Sequence, residues 1–381
     1  MTEKLYYKDA YIQSFTATVI SCEPCADRFA VILDKTAFFP EEGGQAADGG
    51  TLDGIPVLDV KETNGSVTHY LSSLLTVGAT VTGVIDFDER YEKMKCHTAE
   101  HILCGIMHRL YGAENIGFHL GSDVVTFDVS PVLTRAELDR VEDMANAIVA
   151  ENVALRAFFP SREELETLEY RSKSEIKGDV RIVEIGEYDR CACCAPHVSK
   201  TGEIGLIKML DFEKHRGGTR IYMVAGIRAL YDYRARYTAA QRISALTSTP
   251  QADIVTAVEA LLAERDSLAA ALDATAMRMA RREAELVDPT DGNAVYLFDG
   301  FNVDTLREFV NLALPRVGGI LVALSSDNGV YKYVIGSVST DLRQRAKEIN
   351  LALGGKGGGR PEMIQGSFTA SIEQIRAYFL K

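Results

Sequence analysis

His97-Thr98-Ala99-Glu100-His101 and Cys193-Cys194-Ala195-Pro196-His197 each carry two possible metal ligands four residues apart. On a helix, residues i and i+4 share a face, so His97 and His101 can grip one ion. Cys193 and His197 complete a set of three imidazoles and one thiolate, a mixture that suits zinc. Four protein ligands match a closed structural site, so a catalytic version needs a weak ligand or a fifth position. The first motif also fits His-x-x-Glu-His, in which Glu100 would be the general base of an inverted zinc peptidase. That reading leaves Cys193 and His197 without a role. Cys191 and Cys194 stand close enough in sequence to compete with Cys193 as ligands.

A second stretch, Thr36-Ala37-Phe38-Phe39-Pro40-Glu41-Glu42-Gly43-Gly44-Gln45-Ala46-Ala47-Asp48, has different chemistry. Adjacent Gly43 and Gly44 let backbone amides approach a ligand with no Cβ in the way. Gln45 offers a donor and an acceptor, and Thr36 a hydroxyl. The plainer reading is a hairpin loop between strands. A third stretch, Gly354-Gly355-Lys356-Gly357-Gly358-Gly359-Arg360-Pro361, reads as a flexible loop. Its amides and two cations could cradle phosphate.

These residues need elements to position them, and the sequence reads as α+β overall. Residues 1–88 alternate apolar and polar, as in Phe15–Ile20 and Thr80–Ile85, which predicts a small β-barrel. Residues 89–236 read as an α+β domain. It has a helix ending near Tyr111 and a strand at 124–129. Helices follow at 134–152 and 161–169, capped by Thr134 and Ser161, then strands at 180–185, 204–210 and 219–224. Residues 237–288 read as a long helical arm of one or two helices. Ile254, Val258, Leu261, Leu268, Leu272, Met279 and Leu286 give it a heptad-like, coiled-coil-like seam that suits a homodimer or packing on its own protein. Residues 289–381 predict a small α/β domain with a turn at Asp327-Asn328-Gly329.

Composition narrows the function classes. Of 381 residues, 46% are hydrophobic and 25% charged, as in ordinary globular chains. No apolar run is long enough for a membrane span, and the N-terminus lacks a signal-peptide pattern, so a cytoplasmic protein is expected. Three of seven cysteines crowd into 191–194, which favours metal or thiol chemistry over a disulfide framework. A net charge of −13 argues against indiscriminate nucleic-acid binding. Local basic surfaces remain open at Arg171, Lys173 and Lys177, at Lys214, Arg216 and Arg220, and at Arg234 and Arg236.

Taken together and in order, three motifs resemble the editing domain of alanyl-tRNA synthetases. They are Thr-x-Phe-Phe-Pro-x-x-Gly-Gly-Gln-x-x-Asp from Thr36, His-x-x-x-His from His97, and Cys-x-x-x-His-Val-x-x-Thr-Gly-x-Ile-Gly from Cys193. Gly217-Gly218-Thr219-Arg220-Ile221 resembles the strand that follows, and Gly354–Pro361 the DHH-associated domain that ends those enzymes. The resemblance covers almost the whole chain and is to the long form of the free-standing AlaX-type alanyl-tRNA editing proteins. Glu42 stands where the family often has a third glycine, and Cys194-Ala195-Pro196 fills the usual Cys-Gly-Gly-Thr-His. Cys191 replaces a common acidic residue, and Glu100 a small polar one. No Asp-His-His triplet is present, so DHH phosphoesterase activity is not expected.

The resemblance implies hydrolysis of the ester joining serine, or glycine, to alanine tRNA. A pocket for alanine rejects small analogues poorly, whereas a second site built to bond the serine hydroxyl discriminates the other way. It implies one zinc held by His97, His101, Cys193 and His197. Thr36 or Gln45 would contact the hydroxyl, and amides near Gly43 and Gly44 would stabilise the oxyanion. Glu100 is a candidate general base and His119 a further site residue. Lys356, Gly357, Gly358 and Arg360 are implied in tRNA binding. A tRNA- or nucleotide-binding protein with weak catalysis and a structural zinc is the alternative.

Overall fold

Alternating apolar residues build the first part of the chain. The structure is a computed structural model that describes residues 1–172, 179–327 and 329–380; Lys173, Lys177 and Asn328 lie outside the described residues. Two units divide it, Met1–Ala239 and Ala240–Lys381.

The first unit opens with β1 (Glu3–Lys4), β2 (Ser14–Cys25), β3 (Arg28–Leu33), β4 (Lys35–Thr36), β5 (Gly50–Leu52), β6 (Ile55–Thr63), β7 (Ser66–Leu71) and β8 (Thr80–Ile85). Strands in the order β2-β3-β7-β6-β5-β8 close into a barrel, while β1 and β4 pair in parallel. Period-2 patterning places Phe15, Ala17, Val19, Val31, Leu33, Val67, Leu71 and Val81 inside it.

Helix α1 (Phe87–Tyr111) starts at Asp86, whose side chain accepts from the Glu89 amide, and ends at left-handed Gly112. It is buried almost continuously from Lys93 to Met107, so it is the spine of a second core and not a surface helix. Around it lie β9 (Asn115–Leu120), β10 (Val125–Val129), α2 (Arg135–Glu151), β11 (Leu155–Phe158), α3 (Arg162–Thr167), β12 (Ile182–Ile185), β13 (Asp189–Ala192), β14 (Ile207–His215) and β15 (Gly218–Ala225). Thr134 and Ser161 close capping boxes with Glu137 and Glu164. Two sheets result, β14-β15-β10-β9 and β11-β12-β13. The strand expected at 204–210 starts at Ile207, because Thr201–Ile204 forms a 3-10 turn.

The helical arm expected over 237–288 begins earlier and is two helices. They are α4 (Ile227–Thr247) and α5 (Ile254–Glu285), separated by left-handed Ser248 and by Pro250. In the second unit α5 is followed by β16 (Ala294–Asp299), α6 (Val303–Ala313), β17 (Ile320–Asp327), β18 (Val330–Ser337), α7 (Leu342–Ala352), β19 (Lys356–Arg360), β20 (Met363–Phe368) and α8 (Ile372–Phe379). The sheet order is β16-β17-β18-β20-β19. One face packs Leu321 and Ala323 against Ala276, Ala280 and Ala284 of α5 and against α6. The other packs Ile320, Val322 and Leu324 against α7 and α8. The alanines of α5 therefore face its own unit, whereas Val258, Leu261, Leu268, Leu272 and Met279 are exposed. The segment expected as a glycine loop at 354–361 is largely the edge strand β19, antiparallel to β20. Its glycines permit close pairing there in place of a turn.

Candidate metal centre

The interior of the first unit brings both ligand pairs together. The ligand atoms of His97, His101, Cys193 and His197 all lie within 4.8 Å of one another. Nε2 of His97 is 3.6 Å from Cys193 Sγ, and Nε2 of His197 is 3.4 Å from it. Donors bonded to a common zinc stand roughly 3.4–3.8 Å apart, so the cluster is near the size the ion requires. Helix α1 supplies both histidines because they are one turn apart on its buried face. The other two ligands come from the loop after β13. Arg181 fixes that loop: its guanidinium donates to the carbonyls of Cys193 and Ala195 at 3.0 and 2.9 Å, and its own carbonyl accepts from the Cys193 amide.

The far nitrogens of His97 and His197 are hydrogen-bonded, and that of His101 makes an ion-pair contact. Gln45 Oε1 is 2.9 Å from Nδ1 of His97. The Thr98 hydroxyl donates to the Met94 carbonyl and lies 3.0 Å from Nδ1 of His197. Asp189 Oδ2 is 3.3 Å from Nδ1 of His101, an ion-pair contact. These outer contacts favour the tautomers that present Nε2 to a metal.

Electrostatics fit the same donor set. Burial alone would raise the Cys193 thiol, but His97 and His197 nearby, with hydrogen bonds from His101 and His197, hold it well below the ordinary thiol value. Burial likewise opposes charge on His101, yet contacts with Asp189 and Cys193 outweigh it and lift the imidazole to about 9. His197 is carried down to about 3, chiefly by burial. A thiolate and neutral imidazoles are the forms a metal binds, so binding would displace the proton that His101 otherwise holds. Burial raises Cys194 and Cys191, which keeps both as thiols. The residues therefore fit zinc.

The Gly-Gly-Gln stretch reaches the cluster as a tight reversal. Glu42 and Gln45 exchange backbone hydrogen bonds at 3.1 and 3.0 Å across Gly43 and Gly44, whose φ values are 63° and 83°. Such a turn favours glycine at both positions. The Gly44 carbonyl accepts from the Leu120 amide at 3.0 Å, and a Cβ on Gly44 would meet the Phe118 carbonyl at 2.5 Å. Buried Asp48 anchors the far end, accepting from the Phe39 amide and from Arg90 of α1. Gly43 lines a cavity of about 760 Å³ with His97, His101, Cys193, Tyr7, Phe159 and Arg181.

Several sequence candidates lie elsewhere. Thr36 is buried beside the barrel core, with its hydroxyl 2.8 Å from His69 Nε2 and accepting from the Phe38 amide; it does not line the cavity. Glu100 is buried against Asn115 and Cys104, with Oε2 4.0 Å from His101 Nε2, and does not line the cavity either. His119 is exposed on β9. Arg171 and Arg220 are held in bidentate pairs with Asp189 and Asp128. Lys356, Gly357, Gly358 and Arg360 lie exposed on β19 in the second unit. Thr98, Arg181 and Asp189 were not singled out in the sequence. A hydroxyl next to a ligand histidine, and an acid in the period-2 series Asp189, Cys191, Cys193, were the available signals.

Two family models match the chain: Threonyl and Alanyl tRNA synthetase second additional domain over residues 180–222, and tRNA synthetases class II (A) over residues 4–89. The alanyl-tRNA editing protein AlaX-M of Methanosarcina mazei is 36% identical over 243 residues, which cover 58% of this chain and 96% of that protein. The chain belongs to the AlaX family of alanyl-tRNA editing proteins. The alanyl-tRNA editing protein AlaX-L of Pyrococcus horikoshii is 27% identical over 395 residues, covering 98% of this chain and 96% of that one. An alanine–tRNA ligase of Ignicoccus hospitalis is 30% identical over 378 residues; the match spans 94% of this chain but 40% of the ligase.

Proposed function

We propose that the chain is a trans-editing hydrolase that removes serine, and glycine, from mischarged alanine tRNA. The observation that carries this is the convergence of three imidazoles and a depressed thiol beside a cavity floored by the Gly43 turn. His97, His101, Cys193 and His197 would hold one zinc. Held by these four residues, zinc would supply Lewis acidity for an ester carbonyl or for water.

The remaining chemistry falls to the chain itself. Among the described residues the amides of Gly43 and Gly44 donate to no protein acceptor; Gly43 lines the cavity, which suits its amide to an oxyanion there, whereas Gly44 is not part of the lining. Gln45 is buried next to His97 and, like Thr36, is not part of the cavity lining, but among the described residues its side-chain NH2 has no hydrogen-bond partner and is an unspent donor. Thr36 has both hydrogen-bonding roles filled, so Gln45 is the better reader of a serine hydroxyl. Glu100 as general base would need to turn from Asn115 and Cys104 toward the cavity. The inverted-peptidase reading requires that same turn and gives Cys193 no part. Exposed Lys356 and Arg360 on β19, flanking Gly357 and Gly358, support a tRNA-binding role for the second unit. The exposed apolar residues of α5 support a homodimer through the arm. No helix among the described residues is long and apolar enough to cross a membrane.

The test is deacylation of alanine tRNA charged separately with serine, glycine and alanine by zinc-loaded protein. Release of serine or glycine with alanine spared is expected. Tight tRNA binding with no release from any substrate would sink the hydrolase reading in favour of a binding protein.

A further inference from the structure

His101 belongs to two clusters of metal-capable side chains. One is the quartet above; the other is His101, Asp189 and Cys191, all buried. Spacing alone would allow a second ion there. The surroundings of Asp189 decide against it. Arg171 donates to Oδ1 at 2.7 Å through Nε and to Oδ2 at 2.9 Å through a terminal nitrogen, a bidentate pair that occupies the carboxylate with a fixed cation. The Cys191 thiol is turned to the backbone, donating to the Ala192 carbonyl at 3.6 Å.

Resting on the metal reading of the first cluster, we propose that Arg171 and Asp189 form a positioning relay for His101. The guanidinium orients the carboxylate, and the carboxylate holds Nδ1 so that Nε2 is turned to the metal. It is the charged member of the three outer contacts, since Gln45 and Thr98 are neutral. Two features of the backbone serve the same contact. A Cβ on Gly105 would lie 2.8 Å from Asp189 Cβ, so the glycine one turn after His101 is the notch that admits the aspartate. Arg171 is tied to β13 by backbone hydrogen bonds to Arg190 and Ala192, which set its side chain across from Asp189. Asp189 and Cys191 lie two residues apart on the same buried face of β13.

The test measures zinc stoichiometry and affinity by chelator competition in the full chain, for wild type, Asp189→Asn, Arg171→Gln and Cys191→Ser. The cobalt-substituted absorption spectrum is recorded beside them. Wild type should take up one zinc. Asp189→Asn should keep that stoichiometry, lose about 10- to 100-fold in affinity and shift the cobalt bands. Arg171→Gln should do the same to a lesser degree, and Cys191→Ser should leave all three readouts unchanged. The melting temperature of metal-stripped protein separates a folding defect from a positioning effect: the relay predicts that Asp189→Asn loses mainly the increment that zinc adds. Two zincs in wild type, falling to one in Asp189→Asn or Cys191→Ser, would overturn the relay and make the second cluster a metal site. Unchanged affinity and cobalt spectrum in Asp189→Asn would overturn it as well. A wild-type chain that binds no zinc would remove the metal reading itself.

Discussion

Two glycine-rich segments of this protein look alike in sequence and do opposite things in the fold. At Gly43-Gly44 both φ values are positive, 63° and 83°, and the chain reverses beside the ligand cluster. At Gly357-Gly358-Gly359 none is positive, and the chain runs straight as an edge strand. The first pair supplies a conformation that side-chain-bearing residues rarely adopt. The second run supplies thinness: a Cβ on Gly357 would lie 2.3 Å from both the Gln365 carbonyl and the Tyr333 hydroxyl. Glycine enrichment therefore marks a constraint without saying which one. Only the neighbours do that: α1 and Phe118 in one case, Tyr333 and β20 in the other.

The largest effect should come from removing the cluster that the first turn serves. Cys193→Ala combined with His197→Ala deletes two of the four proposed ligands. Metal content should fall to background, and deacylation should drop by more than the roughly 100-fold that loss of an outer contact brings. Hydrogen exchange at 43–45 should quicken, because Gln45 is held through His97, while 356–360 should be unchanged. Equal quickening in both segments, or retained zinc and activity, would break the comparison.

Gly44→Ala should come next. It meets an unfavourable φ and a backbone carbonyl 2.5 Å from the new Cβ. A loss of about 1–3 kcal/mol is expected in denaturant titrations, together with weaker zinc binding as Gln45 shifts from His97. Gly357→Ala should cost a similar or smaller amount, about 1–3 kcal/mol, by overpacking alone and with zinc affinity untouched. If Gly357→Ala weakened zinc binding, the two segments could not be treated as independent.

Much of this was legible from residue types and spacing. The helical pair His97 and His101, the period-2 barrel strands and the caps at Thr134 and Ser161 are local signals, and each forms the local structure its spacing predicts; Cys193 and His197 lie in a loop, where four-residue spacing sets no common face. What was not legible depends on contacts between segments distant in sequence. The outer contacts from Thr98 and Asp189 need β13 and the loop after it laid against α1. Arg171 and Arg220 read as surface cations because nothing local announces Asp189 or Asp128 as their partners. Thr36 read as a site hydroxyl because its engagement with His69 is a cross-strand event inside the barrel wall. The glycines of β19 read as a loop because composition reports flexibility, whereas register against β20 is a tertiary fact.

The smallest effect tests the comparison within one segment. Among the described residues no heavy atom lies within 4 Å of a Cβ added at Gly358, unlike at Gly357 and Gly359 on either side, and none of the three has a positive φ. Gly358→Ala should therefore be neutral in stability, or gain about 0.4–1 kcal/mol by restricting the unfolded chain. That makes it a clean probe of the exposed face of β19. If this strand meets the tRNA backbone closely, the added methyl should weaken tRNA binding in filter or anisotropy titrations while the melting temperature holds or rises. Unchanged binding would mean that Lys356 and Arg360 reach RNA without close backbone approach, or that the strand faces no RNA at all. Charge reversal at Lys356 and Arg360 then separates those two: loss of affinity with a shallower salt dependence supports the first, and no change the second.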